Sequence, residues 1–363
     1  MSSEFLALPG AVEGTDIDAG VAAHYGNPFV EQRSLAAGEA VVDLSHHAVL
    51  SISGPDRLSW LDSLTSQSVK NLAPGESSET LLLDPQGRLE YAVKLIDDGE
   101  TVWLLLEAAE AEPLLAWLTR MRFMLRVEIA DRTAEFATIG SLGAPDLPVV
   151  APAGVPLAWR DPWVAVTAGG HQYAAQAGHP AAGWTWSESL VPRTALAEVA
   201  AAHPVAGILA AEALRVEAWR PRLALDADER TIPHELDWLR SAVHLNKGCY
   251  RGQETVAKVH NLGHPPRRLV MLHLDGSDDV LPDHGSEVLL GDTVVGRITS
   301  VARHHELGPI ALAVVKRSVD PSAPLIVAAG ESLIAAAQEV IVPTDAGASA
   351  SVPRLPRLGA VQR

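Results

Sequence analysis

The chain has 363 residues, enough for two or three domains of ordinary size, and 47% of them are hydrophobic, ample for packed cores. Its 45 acidic residues outnumber 28 basic ones, and the resulting charge of −17 repels phosphate and excludes nonspecific nucleic-acid binding. The single cysteine, Cys249, excludes an internal disulfide and any multi-cysteine metal site made by this chain alone, and it fits a reducing compartment.

Residues 1–20 are small, acidic and glycine-rich, and read as loose. They show neither the basic start nor the apolar run of a secretory signal, and no apolar run approaches the ~18 residues of a membrane span. The expectation is a cytoplasmic protein with no membrane partner. Residues 39–53 read as strand, with period-two alternation over Val49-Leu50-Ser51-Ile52-Ser53. Gly54-Pro55-Asp56 is a turn, and Asp56 can cap a helix carrying Leu58, Trp60, Leu61 and Leu64 at helical spacing. Residues 81–89 predict a hairpin around Pro85-Gln86-Gly87. Strand follows at 101–106, helix at 109–120 and extended chain at 123–129. Short apolar runs broken by Gly and Pro make 131–190 strands and loops. Helices are expected at 193–202 and 205–217, then a polar, irregular stretch over 220–265. From Arg268, short strands at 269–274, 287–290, 293–300, 310–315 and 325–327 predict a small β-barrel or sandwich. The tail from Ala346 is rich in Ala, Ser, Pro and Arg and reads as disordered.

The most informative segment is Lys247-Gly248-Cys249-Tyr250-Arg251-Gly252-Gln253-Glu254. Two glycines bracket its core, so the backbone can turn tightly and approach a ligand. Lys247 and Arg251 lie within two residues of Cys249, and nearby cations favour the thiolate, the nucleophilic and metal-binding form. Gln253 and Glu254 offer amide and carboxylate groups suited to the edge of a heterocycle. A free cysteine is most often a small buried hydrophobe; the polar neighbours favour a reactive thiol here. From Lys247 to Arg268 five basic residues (Lys247, Arg251, Lys258, Arg267, Arg268) accompany one acid, Glu254, a stretch able to receive an anionic tail. Arg215 and Glu217, on a helix of mixed faces, are either a structural pair or reach a ligand. Asp226, Asp228, Arg230 and Glu235 lie in a polar loop, which can carry function or only order itself. His234, His244, His260 and His264 lack metal-ligand spacing, His46-His47 is no more informative, and no metal site is expected. Trp60, Trp219 and Trp238 could wall a pocket by stacking, or belong to the core.

The eight residues match the K-G-C-[FY]-x-G-Q-E signature of the YgfZ family at every specified position. The chain resembles this branch of the glycine-cleavage aminomethyltransferase superfamily over about residues 22–340. Asp43-Leu44-Ser45, Gly54-Pro55-Asp56 with Leu61 and Leu64, Ala213-Leu214-Arg215-Val216-Glu217-Ala218 and Gly296-Arg297-Ile298-Thr299-Ser300 resemble further family motifs, in the family's order. So does the run Val256-Ala257-Lys258-Val259-His260-Asn261-Leu262-Gly263 with Arg267-Arg268-Leu269.

The resemblance implies an α+β, three-domain aminomethyltransferase-like folate-binding fold with a small C-terminal β-barrel. Residues 22–46 plus 131–265 would form the central domain, 47–130 an inserted α/β domain and 266–343 the barrel, with loose termini at 1–21 and 344–363. It implies tetrahydrofolate as cofactor, bound by Lys247, Gly248, Tyr250, Arg251, Gly252, Gln253, Glu254 and Arg215 in a pocket faced by the motif loop, with Cys249 as reactive thiol. The implied function is a folate-binding accessory factor for iron–sulfur cluster assembly or repair, indirectly supporting radical enzymes that modify tRNA. Its partners would be iron–sulfur assembly proteins or client enzymes, with no direct nucleic-acid contact. Any iron–sulfur cluster would have to be shared, since one cysteine cannot supply four ligands.

Two departures from the superfamily bear on catalysis. Its transferases carry G-G-x-x-D-D on a hairpin, with an Asp that serves the folate reaction; the counterpart here is Gln86-Gly87-Arg88-Leu89-Glu90-Tyr91. Tyr91 thus stands where an acid is expected, and strand alternation would turn Glu90 away from the pocket. No counterpart of a G-Y-T-G-E segment is found in 160–190. The alternatives are a one-carbon transferase using Glu90, Asp226 or Asp228 as acid/base, and a passive folate-binding module.

Overall fold

The computed structural model describes residues 3–350, apart from 176 and 278. The stretch 39–53 is two strands, Val41–Asp43 and Ala48–Ser53, and the break between them sends each to a different sheet. The first sheet runs Ala158–Arg160, Ser187–Pro192, Phe136–Ser141, Val41–Asp43, Val205–Ala206. The second runs Ser77–Leu83, Leu89–Asp97, Thr101–Leu106, Ala48–Ser53, Glu128–Asp131, antiparallel throughout.

Strand Thr101–Leu106 of the second sheet reads as an apolar run because both faces of the sheet are covered. Leu50, Ile52, Val102 and Leu104 point to one core, where Trp60 and Leu61 of helix Arg57–Leu64 meet Leu114 and Leu118 of helix Ala108–Met121. Val49, Trp103 and Leu105 point the other way, into a central core shared with the first sheet. Helix Ile208–Glu217 buries Ile208, Ala210, Ala211, Ala213, Leu214 and Val216, apolar on most sides because it is wedged against helix Pro28–Ala36 and the barrel.

Six strands, Arg267–Leu274, Gly308–Lys316, Thr293–His304, Glu287–Leu290, Leu325–Ala329 and Ser332–Val340, close the C-terminal barrel around its own core. The sixth, Ser332–Val340, carries too many Ala and polar residues for its alternation to have stood out in the sequence.

Three expectations are corrected. The N-terminal residues are not loose from residue 3 onward: Phe5 is fully buried among Val41, Ala137, Ile139 and Val191. Nor is 344–350: Ala346 is buried, and the amides of Ala348, Ser349 and Ala350 donate to carbonyls of Gly263, His260 and Asn261. The rest of the tail expected to be disordered, 351–363, lies outside the described residues. Finally, the irregular stretch over 220–265 contains a ten-residue helix, Gln253–Leu262, which begins at the end of the motif. Among the described residues no helix is long and apolar enough to cross a membrane.

Candidate ligand cavity and the motif loop

A cavity of about 760 Å³, mouth included, lies where the two sheets meet helix Ile208–Glu217. Trp184, Trp186 and Glu188 alternate towards it, and the two indoles stack with centroids 5.2 Å apart and planes 12° from parallel. Glu188 accepts from Lys94 Nζ at 2.6 Å and from Trp186 Nε1 at 3.0 Å, both on Oε1, while its buried Oε2 has no partner. Arg220, also buried, donates through Nε to Asp161 Oδ2 at 2.9 Å and pairs with Glu79, leaving Nη1 unpartnered. The lining thus carries an unused acceptor, Glu188 Oε2, and unused donors at Arg220 Nη1 and Trp238 Nε1, beside a flat aromatic wall. Unmade bonds of this kind are costly in a buried site unless something fills them.

The lining holds six carboxylates (Glu79, Glu107, Glu110, Asp161, Glu188, Glu212) against four cations (Lys94, Arg215, Arg220, Arg222), so the site is net acidic. At its mouth Arg222 forks Glu107 at 2.7 and 3.0 Å and bonds Asp18 at 2.9 Å. His46 Nε2 lies 3.3 Å from Asp18 and His47 Nε2 3.5 Å from Glu107. His46, His47 and Glu107 bring possible ligand atoms within 4.8 Å of one another, and Arg222 already bonds the Glu107 carboxylate of that group. Burial pushes His47 well below the usual imidazole range. Burial, aided by Glu107, pushes the Glu110 carboxyl up to about 7. Glu110 also borders a wider vestibule outside the mouth, shared with Asp16, Glu90, Tyr91, Glu107 and Trp117.

The motif loop is built around Lys247. Its Nζ donates to the carbonyls of Asp62 (2.6 Å), Thr65 (2.8 Å) and Gln67 (2.6 Å), at the C-terminal end of helix Arg57–Leu64, where a cation is favoured. Gly252 sits at φ 85° and begins helix Gln253–Leu262; a Cβ there would stand 2.7 Å from the Asp84 carbonyl oxygen. Gly87, at φ 79° in the hairpin turn, is equally confined by Thr255. The two glycines therefore let motif loop and hairpin turn pack backbone to backbone. Tyr250 is buried, Arg251 Nη1 donates to Glu90 Oε2 at 2.6 Å, and Gln253 Nε2 donates to the Lys247 carbonyl at 3.3 Å. Cys249, Gly248 and Glu254 are exposed.

Of the residues expected to bind the cofactor, only Arg215 lines the cavity; Lys247, Gly248, Tyr250, Arg251, Gly252, Gln253 and Glu254 do not. Arg215 is itself saturated, bonding Glu212, Asp226, the Arg220 carbonyl and Ser300 of the barrel. The basic stretch is dispersed as well: Arg267 pairs with Asp228 and Glu235, and Arg268 is buried against Val319 and Gln338. Asp226 accepts from Arg215, the Arg222 amide, Thr299 and Ser300, and Asp228 is held below the usual carboxylate range chiefly by Arg267, so neither is a free acid/base.

Glu90 is absent from the cavity lining, but plain strand alternation is not what sets its direction. The pairing passes from Leu83–Leu89 to Leu82–Tyr91, so Glu90 is the extra residue of a β-bulge. Leu89 and Ala92 face the central core, Tyr91 packs towards the second core, and Glu90 borders the vestibule. Of the three tryptophans singled out, Trp238 lines the cavity, Trp60 belongs to the second core and Trp219 to the central core. Trp184, Trp186 and Glu188 went unnoticed, although their period-two spacing was visible within a stretch read only as strands and loops.

Two sheets and a closed six-stranded barrel about such a cavity define an aminomethyltransferase-like protein. Residues 28–146 match the GCVT N-terminal domain and residues 267–348 the glycine cleavage T-protein C-terminal barrel domain. Together the two models span more than half the chain, which belongs to the glycine-cleavage T-protein superfamily. The chain is 27% identical over 304 residues to an aminomethyltransferase of Nostoc sp., covering 78% of this chain and 79% of that one. It is 26% identical over 317 residues to a chloroplastic protein of Arabidopsis thaliana, named as a transferase of unproven activity, covering 82% and 69%. The fold matches the crystal structure of the glycine cleavage system aminomethyltransferase T from Bartonella henselae with a TM-score of 0.72 at 20% identity, over 94% of this chain and 96% of that one.

Proposed function

We propose that the cavity binds tetrahydrofolate by its pterin ring, and that the protein serves iron–sulfur cluster assembly or repair in the cytoplasm with Cys249 as its working thiol. The observation that carries the folate reading is Glu188, a buried carboxylate with one oxygen unpartnered beside stacked indoles. A reduced pterin presents an amino group and a ring N–H side by side, two donors that suit a carboxylate, and a flat ring that suits indole. Membership of the T-protein superfamily supports the same ligand.

The accessory role rests on the K-G-C-Y-R-G-Q-E loop, which offers Cys249 outward, away from the cavity ligand. A cluster held there would be shared with a partner, since one thiolate gives one ligand of four. Calorimetric titration with tetrahydrofolate tests the first part: binding is expected, weakened at least about tenfold in Glu188→Gln. No binding at millimolar ligand overturns it. Complementation of a strain lacking such a factor tests the second. Rescue by the wild type and not by Cys249→Ala supports the thiol role; equal rescue by both leaves a passive folate module.

A second reading, one-carbon transfer, is favoured by Glu110, whose carboxyl near neutrality at the cavity mouth suits a general acid/base. Turnover with tetrahydrofolate and an aminomethyl-lipoyl carrier, abolished in Glu110→Gln, would promote it.

A further inference from the structure

We infer that this protein selects folates with short tails, each added glutamate weakening binding at low ionic strength. The inference rests on the folate reading and concerns the route by which the tail leaves. With the pterin against Glu188, the tail must pass the partly exposed side of the lining, which is Ala92, Lys94, Glu107, Glu110, Glu212, Arg222 and Leu223. Beyond that mouth lies the vestibule, of about 1550 Å³ including open solvent, which shares Glu107 and Glu110 and adds Asp16 and Glu90. Its other walls are uncharged, Ile17, Tyr91, Pro113 and Trp117 among them, apart from His46, an imidazole already set against Asp18 at 3.3 Å.

The cations nearby are already committed. Lys94 is spent on Glu188, Arg222 on Asp18, Glu107 and Glu212, and Arg251 on Glu90. The basic stretch from Lys247 to Arg268 offers no substitute, since Lys247 is buried on three carbonyls and Arg267 and Arg268 are engaged inside the fold. A polyglutamate tail would therefore cross a region of net negative charge: among the described residues Asp16 and Glu110 have no ion-pair partner, and Asp18 and Glu107 share the single guanidinium of Arg222. The Debye length is about 20 Å near 20 mM salt and about 6 Å near 0.3 M, so the repulsion acts across the vestibule in dilute salt and fades in concentrated salt.

Calorimetry on the full chain, at about pH 8, with the monoglutamate and pentaglutamate of tetrahydrofolate tests this. At low salt the pentaglutamate should bind about 3–10-fold more weakly, and the gap should close at high salt. Asp16→Asn removes one vestibule charge, and Glu90→Gln removes another while freeing Arg251. Together they should improve pentaglutamate binding several-fold and leave the monoglutamate within about twofold. Pentaglutamate binding as tight as monoglutamate or tighter at low salt overturns the inference and leaves the folate reading standing. An unchanged ratio in the double variant overturns the vestibule as the cause. If neither ligand binds, the folate reading fails and the inference falls with it.

Discussion

Arg251 Nη1 reaches Glu90 Oε2 at 2.6 Å, and this bond ties the motif loop to the bulged residue of the hairpin. Each side chain is about one-third exposed, 35% and 32%, so water screens the pair. A double-mutant cycle with Arg251→Ala and Glu90→Ala should return a coupling below about 1 kcal/mol in chemical unfolding. A coupling above about 2 kcal/mol would mean that the pair is effectively buried.

Lys247 should matter far more. Its ammonium is nearly enclosed, donates to three carbonyls, and titrates below the usual lysine range chiefly because it is buried. Lys247→Met leaves those carbonyls without their donor, at a cost of about 2–4 kcal/mol in urea unfolding. A loss under about 0.5 kcal/mol would show that water replaces the ammonium freely.

Gly252→Ala combines two penalties. The left-handed φ of 85° costs an L-residue about 1 kcal/mol, and the new Cβ would stand 2.7 Å from the Asp84 carbonyl oxygen, backbone that cannot rotate aside. The expected loss is about 2–3 kcal/mol, with faster alkylation of Cys249 as the loop lifts from the hairpin. Gly248→Ala, where no atom lies within 4 Å of the new Cβ, should cost under about 1 kcal/mol and serves as the control.

Glu110 gives stability a pH dependence of definite sign. Its folded carboxyl is pushed up to about 7 from an ordinary 4.5, so the folded state binds the proton more tightly than the unfolded chain. That advantage is complete below 4.5 and lost as pH rises through about 7. Glu110→Gln should therefore stabilise the protein at pH 8 by on the order of 2 kcal/mol and do nothing below about pH 4.5. Equal effects at the two pH values would indicate packing rather than charge. Asp237, also pushed up to about 7 by burial, adds a wild-type slope of the same sign, which this variant leaves in place.

Local sequence determined the elements with strong periodicity and the segments whose residue types leave little choice. The hairpin around Pro85-Gln86-Gly87, the helix after Asp56, the strand Thr101–Leu106 and the short strands of the barrel all follow from patterns within a dozen residues. The octapeptide pointed to its superfamily because eight neighbouring positions are a local property. The tertiary structure decided what those residues touch. Lys247 looked like a cation for a thiolate or an anionic tail, yet carbonyls some 180 residues away claim it. Tyr91 turned to the second core, not the cavity, because one extra residue in a strand reverses alternation, and such a bulge is fixed by the partner strand. The cavity draws Lys94, the Trp186–Glu188 pair and the Arg220–Arg222 pair from three separate stretches of chain, and no spacing encodes the meeting of those stretches. Sequence periodicity reports which face of an element is buried; which charges then neutralise one another depends on distances that only the packed fold sets.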